Sequence, residues 1–583
     1  MAEGTLAHAL VATFVDELAR CGLEAVCVTP GSRSAPLAMA FARHPEIRVW
    51  THIDERSAAF FALGMARRSR RPTALLCTSG TAAAEFHPAV VEAYHAEVPL
   101  LVLTADRPPE LRDVGANQAI DQARLYGTAV RWFFDPGPPD DLPGASRHWR
   151  QLAARALAEA VGPPAGPVHL NLPFREPLTP PAGTVVAPLP RDREPVRLER
   201  GRALPSDEVV ERVARALTRA RRPLVVAGEL DPGQRLPELV AGLLARIDAP
   251  FLAEPTSHLR QRGMPGLVET YDILLRVEGW ASTHRPDLVL RLGAVPTSKA
   301  LGQLLGRGGT PTIVVDPSGA WRDPDRLASE VIKSDPEVLL AKLTDRLDGG
   351  PGPWRREWEG AGEKASVALE RCLGRLPLFE AHVVRALAKL LAEDATVVVG
   401  SSLAVREVET FWPAAPPGQR FLANRGASGI DGLVSTGLGA AAVSPGSITA
   451  VLLGDLSLYH DMNGLWAIRR HGLHAALVVL DNDGGGIFHH LPQVDHPDVF
   501  EELFATPLGL RLEEVARLYG LGFLEADKVE DLDTALSAGL TAPEATLVAI
   551  RFDRRDSALA HRECWSAVAA ELGLRPDPSP EMG

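Results

Sequence analysis

Cysteine is scarce in this chain, and its distribution has no recognisable pattern. The five cysteines among 583 residues are Cys21, Cys27, Cys77, Cys372 and Cys564, an odd and scattered set without a C-x-x-C pair. We therefore expect neither a disulfide framework nor a cysteine-ligated zinc site.

The sequence also lacks a surplus of basic charge and long apolar runs. Its net charge of -13 at pH 7 leaves no positive excess to neutralise phosphates, which argues against a general nucleic-acid-binding protein. No apolar run reaches membrane-spanning length, and the N-terminus has no basic stretch followed by an apolar one. We expect a cytoplasmic protein without nucleic-acid or membrane partners, although a local arginine cluster could still bind small anions.

Length and composition are those of a multidomain globular protein. A chain of 583 residues is too long for one hydrophobic core. Apolar residues make up 46% and charged residues 23%, the ordinary balance for a globular protein. Neither a short-period repeat nor a low-complexity tract is present.

Short apolar runs alternate with helix-length segments in the first 180 residues, and each run ends in a polar or glycine-containing cluster. The runs are 25–29, 48–52, 73–78 and 99–104. This alternation predicts a parallel sheet whose functional edge lies at those clusters, because ligands of open α/β sheets bind at the carboxyl ends of the strands. Loops are expected at 136–143 and 163–167, and the proline-dotted segment 177–205 is expected to be an interdomain linker.

The same alternation recurs twice more along the chain. Further strand-like runs lie at 224–228, 288–293, 312–316, 396–400, 448–453 and 475–480, and an amphipathic helix is predicted at 379–391. We therefore predict three doubly wound, parallel-sheet α/β domains. The expected boundaries are 1–180 for the first domain, 181–205 for a linker, 206–355 for the central domain and 356–583 for the third domain.

Two polar clusters follow the runs 448–453 and 475–480, which a helix-length segment joins. The first is Gly454-Asp455-Leu456-Ser457 and the second is Asp481-Asn482-Asp483-Gly484-Gly485-Gly486. At the ends of parallel strands, Asp455 and Asn482 would point hard oxygen ligands into one crevice, which suits Mg²⁺. The glycines would let backbone N–H groups approach a diphosphate closely. On composition alone, plain turns fit these clusters equally well.

The spacing of these clusters resembles the diphosphate and metal signature of thiamine-diphosphate enzymes, a Gly-Asp-Gly followed by an Asn-Asn. Leu456 and Asp481 depart from that pattern, but both side-chain ligands, Asp455 and Asn482, are retained. The third metal ligand, a backbone carbonyl, would fall on Gly484. The resemblance implies thiamine diphosphate and Mg²⁺ or Mn²⁺ as cofactors. The implied cofactor-binding residues are Glu55, Ser402, Ile430, Gly454, Asp455, Leu456, Ser457, Asn482, Gly484, Gly485, Gly486, Ile487 and Phe488.

Glu55 follows a strand-like run and opens a helix-length segment. Alone it would be interpreted as a first-turn carboxylate that faces the helix dipole. Its context, 54–60, resembles the pyrimidine-binding domain of thiamine-diphosphate enzymes, where a buried Glu bonds the aminopyrimidine ring nitrogen and favours its imino tautomer. A desolvated carboxyl with a raised pKa can share that proton. Because the Glu and the diphosphate site of these enzymes come from different subunits, the resemblance implies a homodimer or dimer of dimers with active sites at subunit interfaces.

Four further motifs narrow the resemblance. The segments 30–34, 104–111, 115–118 and 424–432 together resemble the 2-succinyl-5-enolpyruvyl-6-hydroxy-3-cyclohexene-1-carboxylate synthase family of menaquinone biosynthesis. That family decarboxylates 2-oxoglutarate and adds the resulting succinyl carbanion to isochorismate. The three implied domains are a pyrimidine-binding, a central and a diphosphate-binding domain.

Both substrates of that family are dicarboxylates, which planar guanidinium groups bind in bidentate fashion. The family pattern implies substrate binding by Arg33, Arg107, Asn117, Gln118, Lys299, Ser402, Arg406 and Arg425. It implies catalytic roles for Glu55, Gln118, Ser32 and Arg33, with Gln118 positioning water or a substrate carbonyl.

Some of these residues also fit simpler interpretations. Lys299 and Arg406 could be solvated surface charges, and Ile430, implied as the support for a bent cofactor, could be core packing. Ile487 and Phe488 match the apolar floor beneath the thiazolium. We assign no role to His489-His490, because the family pattern carries none there and exposed histidines are common.

Three other function classes remain to be compared. A nicotinamide dehydrogenase needs G-x-G-x-x-G after its first strand, and the N-terminal runs do not supply it. Another thiamine-diphosphate 2-oxoacid decarboxylase or an acetolactate-synthase-like enzyme would not need so many carboxylate-binding arginines. A non-enzymatic scaffold would be expected to have lost Glu55 or Asp455.

Overall fold

The computed structural model describes residues 3–191, 194, 196–199, 201–231 and 233–575. Residues 192, 193, 195 and 200 of the predicted linker lie outside the described residues, as do 1–2, 232 and 576–583. The described chain contains three parallel β-sheets. It divides into two compact units, the first comprising Met1–Arg200, Asn424–Thr449 and Ser457–Ala475, and the second comprising Gly201–Ala423, Ala450–Leu456 and Ala476–Gly583.

The first sheet has six strands in the order β2-β1-β3-β4-β6-β5. They are β1 (Ala25–Val28), β2 (Arg48–Thr51), β3 (Thr73–Cys77), β4 (Leu100–Asp106), β5 (Trp132–Phe134) and β6 (Pro167–Pro173). All four predicted runs are strands, and the segment 136–143 is a loop as expected. The predicted loop at 163–167 is wrong at its last residue. Pro167 begins β6, and a proline is tolerated at the first position of a strand because its missing N–H is not needed there.

The helices of this part of the chain cover the predicted connections. They are α1 (Glu3–Arg20), α2 (Ala35–Arg43), α3 (Glu55–Ser69), α4 (Thr81–Glu85), α5 (His87–His95) and α6 (Ala145–Val161). Helix α3 begins at Glu55 because Asp54 caps it, its carboxylate accepting the Ser57 N–H at 2.9 Å. The core beneath α1 and α6 includes Phe14 and Trp149, whose rings meet edge to face with centroids 5.8 Å apart.

The second sheet has five strands in the order β11-β10-β9-β7-β8. The strands are β7 (Pro223–Ala227), β8 (Phe251–Ala253), β9 (Leu288–Leu292), β10 (Thr312–Val315) and β11 (Ala328–Ile332). The helices are α7 (Asp207–Arg219), α8 (Leu236–Leu244), α9 (Tyr271–Leu275), α10 (Glu278–Ala281), α11 (Lys299–Gly306), α12 (Pro336–Thr344) and α13 (Pro353–Leu373). Helix α13 runs across the predicted domain boundary at residue 355.

The third sheet has six strands in the order β13-β12-β14-β15-β17-β16. They are β12 (Thr396–Val399), β13 (Arg420–Ala423), β14 (Thr449–Gly454), β15 (Ala476–Asp481), β16 (Gly522–Ala526) and β17 (Thr546–Arg551). The helices are α14 (Glu380–Leu390), α15 (Leu403–Phe411), α16 (Leu433–Ala442), α17 (Asp455–His460), α18 (Trp466–His471), α19 (Pro497–Phe500), α20 (Leu512–Tyr519), α21 (Val529–Thr541) and α22 (Arg554–Glu571). The prediction of three parallel-sheet α/β domains is confirmed.

The connection between β14 and β15 differs from the single helix expected there. Helices α17 and α18 are joined by a 3₁₀ turn, Met462–Leu465. Asp461 precedes this turn and is fully buried. Its carboxylate accepts hydrogen bonds from outside the segment, which fixes the break between the two helices.

Helices α3 and α16 pack with their backbones in close approach. A Cβ atom at Gly64 would lie 2.0 Å from the Thr436 carbonyl oxygen, and one at Gly439 would lie 2.0 Å from the Phe61 carbonyl oxygen. Any larger residue at either glycine would therefore push the two helices apart.

Among the described residues, no helix combines the length and the apolar composition needed to cross a membrane.

Candidate functional site

The predicted polar clusters of the first sheet lie at its carboxyl edge. Strands β2, β1, β3 and β4 are consecutive neighbours in this parallel sheet. Their carboxyl ends are followed by Glu55, the Ser32-Arg33 turn, Ser79 and Arg107, respectively. The structure therefore places these side chains along one edge, as the sequence predicts.

Glu55 is half-buried at the first position of α3. Burial raises the pKa of its carboxyl group, and a hydrogen bond with Thr29, the residue after β1, only partly offsets that rise. The buried Cys77 thiol, at the end of β3, is close enough to feel the charge of Glu55. This carboxyl group is therefore predisposed to hold a proton.

Arg33 is buried rather than solvated, with only 7% of its surface exposed. Its Nη1 donates to the Phe174 carbonyl at 2.8 Å, and its Nη2 lies 3.4 Å from the exposed Glu176 carboxylate. Its Nε has no hydrogen-bond partner among the described residues. Burial lowers the pKa of Arg33, and the nearby positive charge of Arg107 lowers it further. The carboxylates of Glu176 and Asp106 offset part of that lowering, so charges of both signs lie near this guanidinium.

The loop that follows β4 carries Asn117 and Gln118. The Arg107 guanidinium donates to the Asn117 carbonyl from Nε at 3.2 Å and from Nη2 at 3.0 Å. Gln118 has a positive φ of 57° and is tied to Ser79 by reciprocal hydrogen bonds, both 2.9 Å long. The side chains of Asn117 and Gln118 are exposed, as is Ser32, so they remain accessible to a ligand.

A buried carboxylate holds the segment that contains Arg425 and Ile430. Glu92 of α5 is 2% exposed, and it accepts the Gly426 N–H at 2.8 Å and the Ala427 N–H at 2.6 Å. Its Oε1 also lies 3.4 Å from Arg67 Nη1. Arg425 and Ile430 are both half-buried, so neither the core-packing nor the cofactor interpretation of Ile430 is decided by burial.

Asp461 links three segments of the first unit. Its carboxylate accepts the Ser57 hydroxyl at 3.1 Å, the Ser435 N–H at 2.7 Å and the Ser435 hydroxyl at 3.0 Å. Burial raises its pKa to about 6. Ser57 lies two residues after Glu55 and Ser435 lies five residues after Ile430, so this carboxylate fixes the first turns of α3 and α16.

In the second unit, Asp455 follows β14 and Asn482 follows β15, two strands paired in parallel. Asp455 is 2% exposed and Asn482 is 8% exposed. The Oδ1 atom of each has no hydrogen-bond partner within the part of the chain that the structure describes. Two buried oxygen acceptors without donors are a destabilising arrangement, and an oxygen-liganded divalent cation would satisfy both.

The ionised form of Asp455 is destabilised by its surroundings. Burial raises the pKa of its carboxyl group to about 7, and the negative charges of Asp481 and Asp483 contribute to that rise. Backbone hydrogen bonds from Leu456 and Gly484 offset it in part. The hydrogen bond from Gly484 shows that the glycine loop lies beside the Asp455 carboxylate, as the sequence predicts.

The glycine loop leaves no room for side chains. Gly484 has a φ of +132°, and a Cβ there would lie 2.1 Å from the Ala505 carbonyl oxygen. A Cβ at Gly485 would lie 2.6 Å from the Phe504 carbonyl oxygen, and one at Gly486 would lie 2.4 Å from Asn482 Nδ2. Ile487 and Phe488 follow in a 3₁₀ turn and are half-buried.

The neighbouring strand end carries Ser402 and Arg406. The Gly400 N–H donates to the Leu452 carbonyl at 2.7 Å, so the turn after β12 runs beside the end of β14. Ser402 has a φ of +65°, an uncommon conformation for a residue with a side chain, and its carbonyl accepts Arg406 Nη1 at 2.6 Å. Lys299 is the first residue of α11 and is half-buried. The positions of Lys299 and Arg406 do not test substrate binding, so that role remains a prediction for both residues.

His489 and His490 are buried, unlike the exposed histidines with which the sequence compares them. They are 6% and 8% exposed, and burial lowers the pKa of His490 to about 2. Their rings pack against Phe500 and His561, respectively, which accounts for both residues as part of the core.

Three site-supporting residues carry no clear sequence signal: Thr29, Glu92 and Asp461. Glu92 lies within a mostly apolar helix, and Asp461 lies four residues after the cluster 454–457. An isolated carboxylate in either setting is typical of a solvated helix surface, and only the fold reveals that these two are buried.

Two family models match the chain. The thiamine pyrophosphate enzyme N-terminal TPP-binding domain matches residues 8–125, and the corresponding C-terminal TPP-binding domain matches residues 403–550. These ranges contain Glu55 and the Asp455-to-Gly486 segment, respectively.

Curated relatives match nearly the whole chain. The 2-succinyl-5-enolpyruvyl-6-hydroxy-3-cyclohexene-1-carboxylate synthase of Geobacillus kaustophilus is 44% identical over 569 residues, covering 96% of this chain and 98% of the relative. The synthase of the same name from Roseiflexus castenholzii is 44% identical, covering 93% of this chain and 95% of the relative. That from Haloarcula marismortui is 41% identical, covering 96% and 98%. The chain therefore belongs to the 2-succinyl-5-enolpyruvyl-6-hydroxy-3-cyclohexene-1-carboxylate synthase family of thiamine-diphosphate enzymes.

Proposed function

We propose that the protein is a thiamine-diphosphate-dependent carboligase of menaquinone biosynthesis. It decarboxylates 2-oxoglutarate and adds the succinyl carbanion in a conjugate (1,4) addition to isochorismate, which gives 2-succinyl-5-enolpyruvyl-6-hydroxy-3-cyclohexene-1-carboxylate. The observation that carries this proposal is the 44% identity over 96% of the chain to an enzyme of that name. The proposed domains are 1–180, pyrimidine-binding; 206–355, central; and 356–583, diphosphate-binding, with a linker at 181–205.

Bound thiamine diphosphate supplies a nucleophilic carbon that accepts the decarboxylated acyl group and passes it on. In this proposal Glu55 shares a proton with the pyrimidine ring nitrogen, a role supported by burial that raises its pKa. Ile430 supports the bent cofactor, and Ile487 and Phe488 form its apolar floor.

Asp455 and Asn482 would hold Mg²⁺ or Mn²⁺ through their unpartnered Oδ1 atoms, with the Gly484 carbonyl as a third ligand. The Gly484 N–H bonds the Asp455 carboxylate, and the Gly485 and Gly486 N–H groups donate to the Ala505 and Gly484 carbonyls at 2.7 and 3.0 Å. Each of the three N–H groups therefore already has an acceptor other than the diphosphate. A Cβ at Gly484, Gly485 or Gly486 would meet the chain's own atoms, so the glycines let the loop pack closely against its neighbours.

The arginines would bind the substrate carboxylates. Arg33 and Arg107 are close enough to lower the pKa of Arg33, so a dicarboxylate would replace a repulsion with two charge-assisted contacts. Arg425, Arg406 and Lys299 complete the proposed set, with Ser32, Ser402, Asn117 and Gln118 as polar contacts.

We further propose that the enzyme works as a homodimer or dimer of dimers with active sites at subunit interfaces. The support is the family resemblance, in which the catalytic Glu and the diphosphate site come from different subunits. Sedimentation velocity with and without cofactor measures the subunit number. A monomer that is fully active would contradict this part of the proposal.

The reaction is tested by mixing the purified protein with thiamine diphosphate, Mg²⁺, 2-oxoglutarate and isochorismate. Loss of isochorismate absorbance and release of one CO₂ per isochorismate are expected, both dependent on each component. Replacing 2-oxoglutarate by pyruvate is the matched control, since pyruvate lacks the second carboxylate. Turnover of pyruvate that equals or exceeds that of 2-oxoglutarate would favour an acetolactate-synthase-like enzyme instead.

The Asp455→Ala variant tests the metal assignment separately. Cofactor and metal affinity should fall together, and excess Mg²⁺ should restore part of the activity. Unchanged cofactor affinity in a calorimetric titration would show that Asp455 is not a ligand of the metal.

A further inference from the structure

Two of the candidate substrate cations, Lys299 and Arg406, belong to different helices of the second unit. Lys299 is the first residue of α11, and Arg406 is the fourth residue of α15. Helix α9 packs against both of these helices. Its second residue, Asp272, is 1% exposed. One buried carboxylate therefore lies where the two cation-bearing helices meet α9.

Each oxygen of Asp272 bonds one of the two helices. Its Oδ1 accepts the Ser298 hydroxyl at 2.5 Å, and its Oδ2 accepts the Thr410 hydroxyl at 2.7 Å. Arg276 donates to the same carboxylate from Nε at 3.0 Å and from Nη2 at 3.3 Å. Burial by itself raises the pKa of Asp272, but Arg276 and the two hydroxyl donors outweigh burial and hold the pKa below its ordinary value. The carboxylate is therefore ionised at neutral pH and accepts bonds at both oxygens.

The bond to Ser298 fixes the turn from which α11 begins. Ser298 is the N-cap of α11, and its hydroxyl oxygen accepts an N–H of the first helical turn at 3.1 Å, so its hydrogen goes to Asp272. One residue earlier, the Thr297 N–H donates at 2.9 Å to Glu254, which is 3% exposed. Two buried carboxylates therefore hold the two residues that precede Lys299.

The bond to Thr410 fixes α15. Thr410 lies four residues after Arg406, so both residues are on the same side of the helix. Tyr271, which precedes Asp272 on α9, donates its hydroxyl to the Glu409 carboxylate. Two consecutive residues of α9 thus bond two consecutive residues of α15, which restricts sliding and rotation of α15 relative to α9.

We propose that Asp272 is a positioning residue that fixes Lys299 and Arg406 relative to each other for the binding of substrate carboxylates. The assignment rests on the proposed function, in which both cations bind carboxylates. Because the two hydroxyl bonds share one carboxylate, Asp272 sets the spacing of the helices that carry the cations. Cations held in place before the substrate arrives lose less freedom on binding it.

The test removes the two hydroxyl bonds one at a time, because replacing Asp272 itself would also remove a carboxylate that pairs with the buried Arg276. Ser298→Ala removes the bond to α11, and Thr410→Val removes the bond to α15. In the full-length protein loaded with thiamine diphosphate and Mg²⁺, each variant should raise the KM for a dicarboxylate by about 3- to 10-fold. The affinity for thiamine diphosphate should stay near that of the wild type.

Three control variants match these changes. Thr410→Ser keeps the hydroxyl donor and should keep the KM near that of the wild type. Ser206→Ala removes the N-cap of α7 in the same unit, and Thr218→Val removes a threonine hydroxyl from the same helix. Neither of these two should change the KM.

Double variants show whether the hydroxyl bonds act through the cations. Lys299→Met and Arg406→Met should each raise the KM for a dicarboxylate about 10- to 100-fold, the effect of losing a charge-assisted contact. In the Lys299→Met protein, Ser298→Ala should raise that KM no further, and Thr410→Val should likewise add nothing to Arg406→Met. A general loss of structure would instead multiply the two effects.

Effects that multiply in either double variant would overturn the proposal. An unchanged KM in Ser298→Ala and Thr410→Val would also overturn it, as would an unchanged KM in Lys299→Met and Arg406→Met. All of these outcomes leave the proposed function intact, because they require turnover by the wild-type protein. Absence of that turnover would overturn the proposed function and this assignment together.

Discussion

Replacing Glu92 by Gln should loosen the Arg425 segment while leaving the rest of the first unit folded. The native carboxylate accepts the Gly426 N–H at one oxygen and the Ala427 N–H at the other, at 2.8 and 2.6 Å. A glutamine has one carbonyl oxygen and one NH₂ group, so one of the two backbone N–H groups must face another donor. The two sites are 334 and 335 positions apart in sequence, so no local structure replaces the lost bond.

The magnitude follows from the lost contact. A charge-assisted hydrogen bond contributes about 1.5–3 kcal/mol, and the two donors are only partly buried, so water can satisfy the N–H group that is released. The free energy needed to open the segment should therefore fall by about 1.5–3 kcal/mol. Since about 1.4 kcal/mol is a factor of ten, amide hydrogen exchange at Gly426 and Ala427 should accelerate by about 10- to 140-fold.

Hydrogen–deuterium exchange with mass spectrometry measures this directly on peptides covering 424–432. The same variant should raise the apparent KM for a dicarboxylate substrate, because Arg425 loses its fixed position, while cofactor affinity stays near that of the wild type. Glu159→Gln, which removes an exposed carboxylate from α6, is the control. Exchange rates in 424–432 that match those of the control would refute the reasoning.

Four further outcomes are expected. Glu55→Gln should abolish most turnover without lowering the melting temperature, and cofactor C2-proton exchange as fast as in the wild type would contradict its assigned role. Ile430→Ala should lower kcat about a hundredfold if it supports the cofactor, whereas a loss of about 2–5 kcal/mol in stability with normal turnover would indicate packing alone. Arg107→Ala should raise the KM for a dicarboxylate about 10- to 100-fold. A KM equal to that of the wild type would show that Arg107 does not bind a substrate carboxylate. Burial, followed by the charge of Glu407, raises the pKa of Glu380 to about 7 from an ordinary 4.5, so the folded state binds this proton more tightly and stability should fall as pH rises from 4.5 to 7. Asp455 and Asp461, whose pKa values are also raised, contribute to the same decline, so melting temperatures of Glu380→Gln should fall less steeply with pH than those of the wild type. Equal slopes in the two proteins would contradict the role of Glu380.

The sequence predicts the central strands well because they are buried on both faces. Strands such as β3 and β4 are fully buried along their length and therefore appear as continuous apolar runs. Strands β5, β11 and β16 lie at sheet edges and are only partly buried, so their sequences carry no such signal. Strands β6 and β17 are exceptions, since both lie inside their sheets and are almost fully buried, yet neither is among the predicted runs, although the apolar run of β17 is clear. Edge strand β2 is the opposite exception, since it is only partly buried but is among the predicted runs.

The candidate site divides in the same way. Residues that directly follow strands, such as Glu55 and Asp455, could be predicted because the end of a parallel strand fixes their position in space. Glu92 and Asp461 could not, because each acts through partners far away in the sequence. Whether a carboxylate is buried depends on which distant segments pack against it in the folded protein, and the local sequence does not identify those segments.

The first unit is discontinuous in sequence, and this delays the completion of its fold during synthesis. Helix α3 presents Gly64 to α16, whose residues lie more than 350 positions later in the chain. After the first sheet has left the ribosome, the second sheet and the first two strands of the third sheet, β12 and β13, must still be synthesised before α16 can cover α3. The nascent N-terminal domain therefore waits, with one helix face open to solvent, for most of the time that translation takes.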